Sequence, residues 1–219
     1  MPDFKYIAFY DLDHTILDGN SATHLVHEAR RRGVMTEKQF RHAVWLSILY
    51  KLNIGEPIRM INRMLSWLNG RNEASIMQLS REIFDQMIKD TIRPEILKTI
   101  GGHRKNNGAV VLLSSASTPI CHPVSQHLEL DDVICTRLES EDGILTGRTS
   151  GKLVYGKEKK VRMLEFCREN QCDPKDAWYY GDSYTDRFVM AAVGNPVAVS
   201  PDKRLLKIAR QRHWPILSI

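Results

Sequence analysis

The chain has 219 residues, of which 42% are hydrophobic and 26% are charged, and its formal net charge is +5. This is an ordinary globular composition with enough apolar material for a full core, and no low-complexity segment or internal repeat is present. Lysine and arginine are scattered among acidic residues and no aromatic–basic motif occurs, so we expect no nucleic-acid partner. No apolar stretch approaches the length of a membrane span and no secretory signal is recognisable, so we expect no stable membrane association.

The four cysteines are Cys121, Cys135, Cys167 and Cys172, and none of them forms a CxxC pair. Without a secretory signal, such cysteines are expected to be free thiols in a reducing compartment. The sequence therefore predicts a cytoplasmic protein.

The first predicted element is a buried strand over residues 6–10, where the chain is apolar throughout. Asp11 and Asp13 follow directly, and the hydroxyl of Thr15 comes two residues later. In open α/β sheets, ligands bind at the carboxyl ends of the strands. Two carboxylates held close together repel each other and usually need a cation. This stretch therefore predicts a site at the tip of the first strand.

From residue 18 to residue 91 the apolar residues recur at helical spacing, and no strand is predicted. The helix start signals are Asn20 or Ser21, a capping box formed by Thr36 and Gln39, and Pro57. A fourth helix is predicted over about residues 73–89. The expected inward-facing residues are Phe40, Val44, Trp45, Ile48 and Leu49 in the second helix, Ile58, Ile61, Met64, Leu65 and Leu68 in the third, and Ile76, Leu79, Ile83, Phe84, Met87 and Ile88 in the fourth. An insertion of this size is a small domain rather than a loop. It is expected to join the remainder only through the turns at 18–20 and 91–94, and to move as a lid over the site.

Strands and helices alternate after residue 94. The predicted strands are residues 109–113, 133–136, 177–180 and 197–199, and the predicted helices are residues 94–106, 119–128, 160–170, 188–193 and 202–212. Ile144 and Leu145 are expected to form half of a hairpin. Alternation of this kind predicts an α/β protein with a doubly wound parallel sheet.

Polar residues follow several of these strands and should meet at one edge of the sheet. Asp11 and Asp13 end the first strand, Ser114 ends the second, and Asp182 and Asp186 follow a later strand, while a lysine-rich turn precedes a helix at residues 156–160. Carboxylates provide the oxygen ligands that Mg²⁺ prefers, and a phosphoryl group needs such a cation together with hydroxyl and lysine donors. The pattern therefore indicates phosphoryl chemistry.

The order of these motifs resembles that of the haloacid dehalogenase superfamily. The motifs are Asp-Leu-Asp-His-Thr at residues 11–15, an apolar strand ending in Ser114, a lysine, and Gly-Asp-Ser-Tyr-Thr-Asp at residues 181–186. The helical insertion after the first motif is similar to the C1 cap of the phosphoserine-phosphatase-like branch, the IB hydrolases, and so are residues 137–147 and the ending Val-Ala-Val-Ser-Pro-Asp at residues 197–202. The resemblance implies a Rossmann-like core over residues 1–17 and 92–219 and an all-helical cap over residues 18–91.

The resemblance also implies roles for individual residues. Asp11 would be the nucleophile that becomes an aspartyl phosphate, and Asp13 would be the general acid and base. Mg²⁺ would be held by the Asp11 carboxylate, the Asp13 carbonyl oxygen and Asp182. Ser114 would donate to a phosphoryl oxygen, and Ser115 would contact the substrate.

Three lysines compete for the third motif. The family pattern Gly-x-x-Lys selects Lys159 after Gly156, whereas Lys160 precedes Val161, where the family often has Lys-Val. Lys157 is the third candidate. Whichever lysine is used, Asp186 would orient it or support the metal site.

Phosphoserine-specific members place a glutamate after the first motif, where it recognises the amino group of the substrate. Asn20 stands there in this chain and is the candidate substrate contact. Because a neutral amide cannot pair with an ammonium as a carboxylate does, we expect that phosphoserine is not the preferred substrate.

The sequence therefore predicts a Mg²⁺-dependent phosphatase that acts on a small phosphorylated metabolite. Two alternatives stay open. A phosphotransferase would use the same aspartyl phosphate with an acceptor other than water, and a receiver-type regulatory module would carry a long-lived phosphoryl group on Asp11. The receiver module would need neither Asp13 nor a lid.

Overall fold

The computed structural model describes residues 4–51 and 55–219. In this part of the chain, six parallel strands form one sheet in the order β3-β2-β1-β6-β7-β8. The strands of this sheet are β1 (Tyr6–Tyr10), β2 (Gly108–Ser117), β3 (Asp132–Thr136), β6 (Trp178–Gly181), β7 (Asn195–Val199) and β8 (Ile216–Leu217). The strands β4 (Leu138–Glu141) and β5 (Ile144–Thr149) form a separate antiparallel hairpin.

The α-helices are α1 (Ser21–Arg31), α2 (Glu37–Lys51), α3 (Pro57–Leu65), α4 (Glu73–Ile83), α5 (Pro94–Lys105), α6 (Thr118–Leu128), α7 (Lys157–Glu169), α8 (Arg187–Met190) and α9 (Lys203–Arg212). Short 3₁₀ segments lie at Ser66–Leu68, Lys89–Thr91 and Tyr184–Asp186, and a π-helical turn, Phe84–Ile88, continues α4. Among the described residues, no helix is both long enough and apolar enough to cross a membrane.

Strand β1 is buried on both faces of the sheet. Ile7 and Phe9 belong to a core cluster that includes residues of α7, α8 and α9. Ala8 and Tyr10 belong to the cluster on the opposite face, which includes residues of α5 and α6. Burial on both faces explains why this strand is apolar at every position. The predicted doubly wound parallel sheet with an all-helical insertion is confirmed.

The helices α1–α4 leave the sheet directly after β1 and return to it at α5. The first and last residues of the insertion pair with each other, since the Asp18 amide donates to the Thr91 carbonyl at 2.7 Å and the Arg93 amide donates to the Ile16 carbonyl at 2.9 Å. The Arg93 guanidinium also binds the Asp18 carboxylate at 2.9 Å. The two connections therefore form one clamped junction.

The expectation that the insertion joins the remainder only through its two connections is wrong. The Gly70 amide donates to the Leu145 carbonyl, the Leu145 amide to the Arg71 carbonyl and the Glu73 amide to the Gly143 carbonyl, each at 2.8 Å. These bonds attach the segment before α4 to the β4–β5 hairpin. The inserted helices also share one hydrophobic cluster with α5 and α6. Long-range pairing of this kind has no local sequence signal.

The predicted inner face of α2 is only partly correct, because Phe40 is buried but three of the other expected residues are not. Val44, Trp45 and Ile48 are exposed, with 57% of the Trp45 surface accessible, whereas Ala43 and Leu46 are buried. In the same helical region, Ile58 and Met87 are exposed although they were expected to face inward. Apolar periodicity finds a stripe on a helix, but neighbouring elements decide which stripe is covered.

Three further differences concern element boundaries. Strand β2 continues past Ser114 because its last residue, Ser117, pairs with Thr136 of β3 after a shift in register. Helix α7 begins at Lys157, three residues before the predicted start. The short strand β8 was not predicted, because two residues carry no periodicity.

Candidate active site

The first motif lies beside the fourth because β1 and β6 are neighbours in the sheet. Tyr10 is in register with Tyr180, and the Asp11 amide donates to the Tyr180 carbonyl at 2.9 Å. Asp11 and Asp182 therefore leave the same edge of the sheet from adjacent strands. This is the arrangement that the strand-end argument predicts.

The buried lysine of the site is Lys159. Its Nζ lies 2.9 Å from the Asp11 carboxylate and 2.8 Å from Asp186 Oδ1. It also donates to the hydroxyl of Tyr179 at 3.1 Å. Lys157 and Lys160 are exposed. The structure thus brings Lys159, from the first turn of α7, to the carboxylates and leaves the two rival lysines outside.

Asp11, Asp182 and Asp186 each place a carboxylate oxygen within 4.8 Å of the others. The oxygens of Asp186 are already engaged, because Oδ1 accepts from Lys159 and from Tyr179, and Oδ2 accepts from the Ser183 amide. Asp11 and Asp182 are therefore the side chains best placed to hold a cation. Such a pair of hard oxygen donors fits Mg²⁺, which keeps several waters and needs few protein ligands.

The carboxylates of this cluster repel one another and attract the Lys159 ammonium, and burial also affects their pKa values. Burial, and then the neighbouring Asp11 and Asp186, raise the pKa of Asp182 to about 8. Burial raises the pKa of Asp11 to about 6, although the Lys159 ammonium acts in the opposite direction. Burial alone would lower the pKa of Lys159, but the Asp11 and Asp186 carboxylates outweigh it and the pKa is raised well above its usual value. If all three carboxyl groups were ionised, they would carry more negative charge than one lysine balances, and a bound cation would offset that excess.

The Asp13 carboxylate is directed elsewhere. It accepts from the Ser21 amide at 2.7 Å, at the first turn of α1, and from the Asn20 side chain at 3.4 Å. Burial raises the pKa of Asp13, and the Ser21 hydrogen bonds act against that rise. A carboxyl group with a raised pKa, held apart from the cation-binding oxygens, is suited to proton transfer.

Asn20 is the N-cap of α1, and its side-chain oxygen accepts from the Thr23 amide and hydroxyl at 3.0 and 3.1 Å. Both ends of the Asn20 amide are thus engaged, one with Thr23 and the other with Asp13. The candidate substrate contact is therefore already committed to neighbouring groups of the protein.

Ser114 and Ser115 lie in the last part of β2, next to β1. Ser114 is 1% exposed, and its hydroxyl accepts from the Ala116 amide at 3.2 Å. The main-chain oxygen of Ser115 accepts from the Thr136 hydroxyl at 2.9 Å, which ties this segment to β3. The structure thus places both serines on the strand that adjoins Asp11.

The contacts of two residues at the site were not predicted. Tyr179 lies inside β6 and connects Lys159 with Asp186, and Thr15 donates to Asp182 Oδ1 at 3.3 Å. Tyr179 falls within the predicted strand over residues 177–180, and nothing local distinguishes a buried tyrosine that only packs from one that also forms hydrogen bonds. Thr15 was noted as a hydroxyl near the first strand, but its partner 167 residues away could not be inferred from the sequence.

Comparison with known proteins agrees with this geometry. Residues 8–191 match the family model described as haloacid dehalogenase-like hydrolase. The chain is 29% identical over 223 residues to phosphoserine phosphatase SerB1 of Mycobacterium tuberculosis, covering 98% of this chain and 71% of that protein. Because the family model matches residues 8–191, which is most of the chain, the protein belongs to the haloacid dehalogenase-like hydrolase family.

Two solved structures show the same fold. A protein of unknown function from Bordetella pertussis Tohama I superposes with a TM-score of 0.90 at 22% identity, over 98% of this chain and 99% of that one. A phosphoserine phosphatase with a phospho-aspartyl intermediate analogue superposes with a TM-score of 0.72 at 17% identity, over 99% and 94% of the two chains. The chain therefore has the fold of these proteins, and the predicted membership of the haloacid dehalogenase superfamily is confirmed.

Proposed function

We propose that this enzyme hydrolyses a small organic phosphomonoester with the help of Mg²⁺, and that the phosphoryl group passes through an aspartyl phosphate on Asp11. The observation that carries the proposal is the buried cluster in which Lys159 lies 2.9 Å from Asp11 while Asp182 shares the same space. The related phosphoserine phosphatase whose structure contains a phospho-aspartyl analogue supports the same intermediate.

In the first step, a carboxylate oxygen of Asp11 attacks phosphorus and the bond from phosphorus to the leaving oxygen breaks. Asp13 donates a proton to that oxygen, so that an alcohol leaves. Lys159 and the hydroxyl of Ser114 stabilise the negative charge on the phosphoryl oxygens. The raised pKa of Asp13 favours its protonated form for this role.

In the second step, water attacks the phosphorus of the aspartyl phosphate. Asp13, now a carboxylate, accepts a proton from that water, the bond between Asp11 and phosphorus breaks, and inorganic phosphate leaves. Asp11 returns to its carboxylate form beside Lys159. One residue therefore acts as acid and then as base, and it is held by α1 rather than by the carboxylate cluster.

A bound Mg²⁺ would offset the charge of the carboxylates and of the phosphoryl group. The side chains of Asp11 and Asp182 and the carbonyl oxygen of Asp13 would hold it. Lys159 and Asp186 would then serve as the buried pair that fixes the orientation of Asp11. The family and the carboxylate cluster support this assignment.

We also propose that residues 18–91 act as a cap domain over the site. Their first helix supplies the amide that binds Asp13, so the position of the cap affects the proton-transfer group directly. Because the β4–β5 hairpin is hydrogen-bonded to this segment, we expect the hairpin to move with it. We expect the substrate to be a small phosphorylated metabolite. We also expect the enzyme to be cytoplasmic.

Phosphoserine is not expected to be the best substrate. Asn20 offers no negative charge for an ammonium group, and its amide is engaged by Thr23 and Asp13. A hydrolase is favoured over a receiver-type module because the chain belongs to a hydrolase family and holds Asp13 ready for proton transfer. A phosphotransferase, which passes the phosphoryl group to an acceptor other than water, would use the same groups. Hydrolysis releases free phosphate and phosphoryl transfer does not, so the products of turnover distinguish the two reactions.

The test is a panel of phosphomonoesters assayed with Mg²⁺ and with EDTA. The panel includes phosphoserine, histidinol phosphate, sugar phosphates and lipid head-group phosphates, and free phosphate is measured. We expect turnover of at least one compound with Mg²⁺, no turnover with EDTA, and recovery when Mg²⁺ is restored. Full activity in EDTA would refute the metal requirement, and phosphoserine giving the highest kcat/KM would refute the substrate expectation.

A further inference from the structure

The loop that carries Asp182 is held from outside by the C-terminal part of the chain. The Asp202 amide donates to the Asp182 carbonyl at 2.8 Å. The Asp202 carboxylate accepts from the Tyr184 amide at 2.6 Å through Oδ2. Asp202 therefore bonds to both sides of Ser183, the residue that follows Asp182.

The other oxygen of the Asp202 carboxylate is anchored to a helix. Oδ1 accepts from the Arg204 and Leu205 amides, both at 2.8 Å, as the N-cap of α9. A carboxylate at a helix N-terminus is held by backbone donors and by the helix dipole. Asp202 thus links a regular helix to the Asp182 loop.

The side chain of Tyr184 reinforces the link. Its ring lies between two guanidinium groups, with Arg204 Cζ 3.5 Å and Arg187 Cζ 3.7 Å from the ring centroid. Arg187 also donates to the Tyr184 carbonyl at 2.7 Å and stacks on Phe188 at 3.9 Å. The apex of the loop is therefore bound through its backbone and its ring.

This support matters because few groups among the described residues hold the Asp182 side chain itself. Its hydrogen bond from a side chain is the 3.3 Å contact with Thr15, whereas the carboxylates of Asp11 and Asp186 lie close by. When these carboxyl groups are ionised their charges repel each other, and outward movement of Asp182 would relieve the repulsion. A loop held from outside resists that movement.

We infer that Asp202 is a positioning residue for the metal site: by tying the Asp182 loop to α9 it keeps Asp182 next to Asp11 before the cation binds. The inference rests on the proposed Mg²⁺ site. Its physical basis is preorganisation, since a cation that binds a ready pair of carboxylates does not have to draw one of them back. Partners that orient metal ligands typically contribute about 10–100-fold to metal affinity.

The variant that separates the two roles of Asp202 is Asp202→Ser. Serine is a good N-cap, so α9 keeps its cap, but its short hydroxyl cannot also reach the Tyr184 amide. Asp202→Asn is a second variant, because asparagine also caps helices and has one acceptor oxygen instead of two. The matched control is Asn72→Ala, which removes a comparable side-chain cap from α4, on the inserted helices.

The measurement is Mg²⁺ binding to the metal-free enzyme by calorimetry without substrate, together with the Tm before and after Mg²⁺ is added. We expect Mg²⁺ to bind Asp202→Ser and Asp202→Asn about 10-fold or more weakly than wild type, with the metal-free Tm of the serine variant unchanged or higher. Asn72→Ala should lose Tm and keep its Mg²⁺ affinity. In turnover assays, raising Mg²⁺ should restore the kcat of Asp202→Ser.

Equal Mg²⁺ affinity in wild type and both Asp202 variants would overturn the inference and leave the proposed function standing. A wild-type protein that binds no Mg²⁺ would overturn both. A loss of affinity in Asn72→Ala as large as that in Asp202→Ser would also overturn it, because general destabilisation would then account for the effect.

Discussion

At the scale of single residues, the site depends on the different surroundings of two aspartates that lie two positions apart. Asp11 is paired with the ammonium of Lys159, whereas Asp13 is bound by the Ser21 amide and by Asn20. An ion pair favours the charged carboxylate that a nucleophile needs. A buried carboxyl group with a raised pKa is better suited to giving and taking a proton.

The first prediction separates these two roles. Asp13→Asn should lower turnover by about 10²–10⁴-fold, because the general acid and base is lost while the fold stays intact. Asp11→Asn should abolish turnover and the trapping of phosphate from labelled substrate. Asp85→Asn, an exposed change on the inserted helices, is the control and should be neutral. Near-wild-type turnover of Asp13→Asn would show that another group transfers the proton.

The second prediction concerns the pH dependence of stability without metal. The pKa of Asp182 is about 8 in the folded protein, above its usual 3.8, so the folded state binds a proton more tightly than the unfolded state does. Its contribution to stability is therefore present at low pH and is lost as the pH rises towards 8. In EDTA, Asp182→Asn should exceed wild type in Tm by more at pH 8.5 than at pH 6.

Thermal unfolding of both proteins at the two pH values measures this difference, and Mg²⁺ should reduce the wild-type loss at pH 8.5. A gap in Tm that does not change with pH would show that Asp182 titrates normally and that its neighbours do not repel it.

At the scale of elements, apolar spacing correctly predicts that the inserted segment is helical, but it does not predict which side of α2 is buried. Helix α2 carries Val44, Trp45 and Ile48 on one stripe, but the buried residues of this helix include Ala43 and Leu46. In contrast, Trp67 in the 3₁₀ turn after α3 is 4% exposed and belongs to the cluster shared with the sheet. Of these two tryptophans, Trp67 is therefore the one whose side chain is packed in the core.

The third prediction follows from this contrast. Trp67→Ala should destabilise the protein by about 3–5 kcal/mol, as expected when a buried aromatic side chain is removed. Trp45→Ala should change stability by about 0.5 kcal/mol or less, because the side chain is 57% exposed. Denaturant unfolding monitored by circular dichroism measures both. A larger loss in Trp45→Ala than in Trp67→Ala would mean that the stripe on α2 is covered in solution.

At the scale of the whole molecule, the inserted helices pack against α5 and α6 and are also hydrogen-bonded to the remainder at two places. One is the clamped junction where Asp18 pairs with Thr91, and the other is the set of hydrogen bonds to the β4–β5 hairpin. A lid that opened by turning about its two connections alone would have to break the second set. Movement of the cap is therefore expected to carry the hairpin along.

The fourth prediction tests this attachment by hydrogen exchange. The amides of Gly70, Glu73 and Leu145 each donate across the attachment at 2.8 Å, so they should exchange slowly and to a similar extent. They should stay protected when Mg²⁺ and a phosphate analogue are added. Fast exchange at Leu145, comparable with that of an exposed loop, would show that cap and hairpin separate.

Much of this molecule could be inferred from the sequence. The strand over residues 6–10 and the parallel sheet follow from apolar runs and alternation, because burial on both faces of a strand requires apolar residues at every position. The convergence of Asp11 and Asp182 follows from the rule that parallel strands end at the same edge. These features depend on local composition and on general rules of sheet topology, so they can be inferred from the sequence alone.

The tertiary structure decided what depends on distant partners. It brought Lys159 rather than Lys157 or Lys160 to the carboxylates, although the three lie within four residues, because the first turn of α7 directs only one of them inward. It also joined the inserted helices to the hairpin and Asp202 to the Asp182 loop. Side-chain direction and long-range pairing are set by packing between elements, which no local pattern encodes.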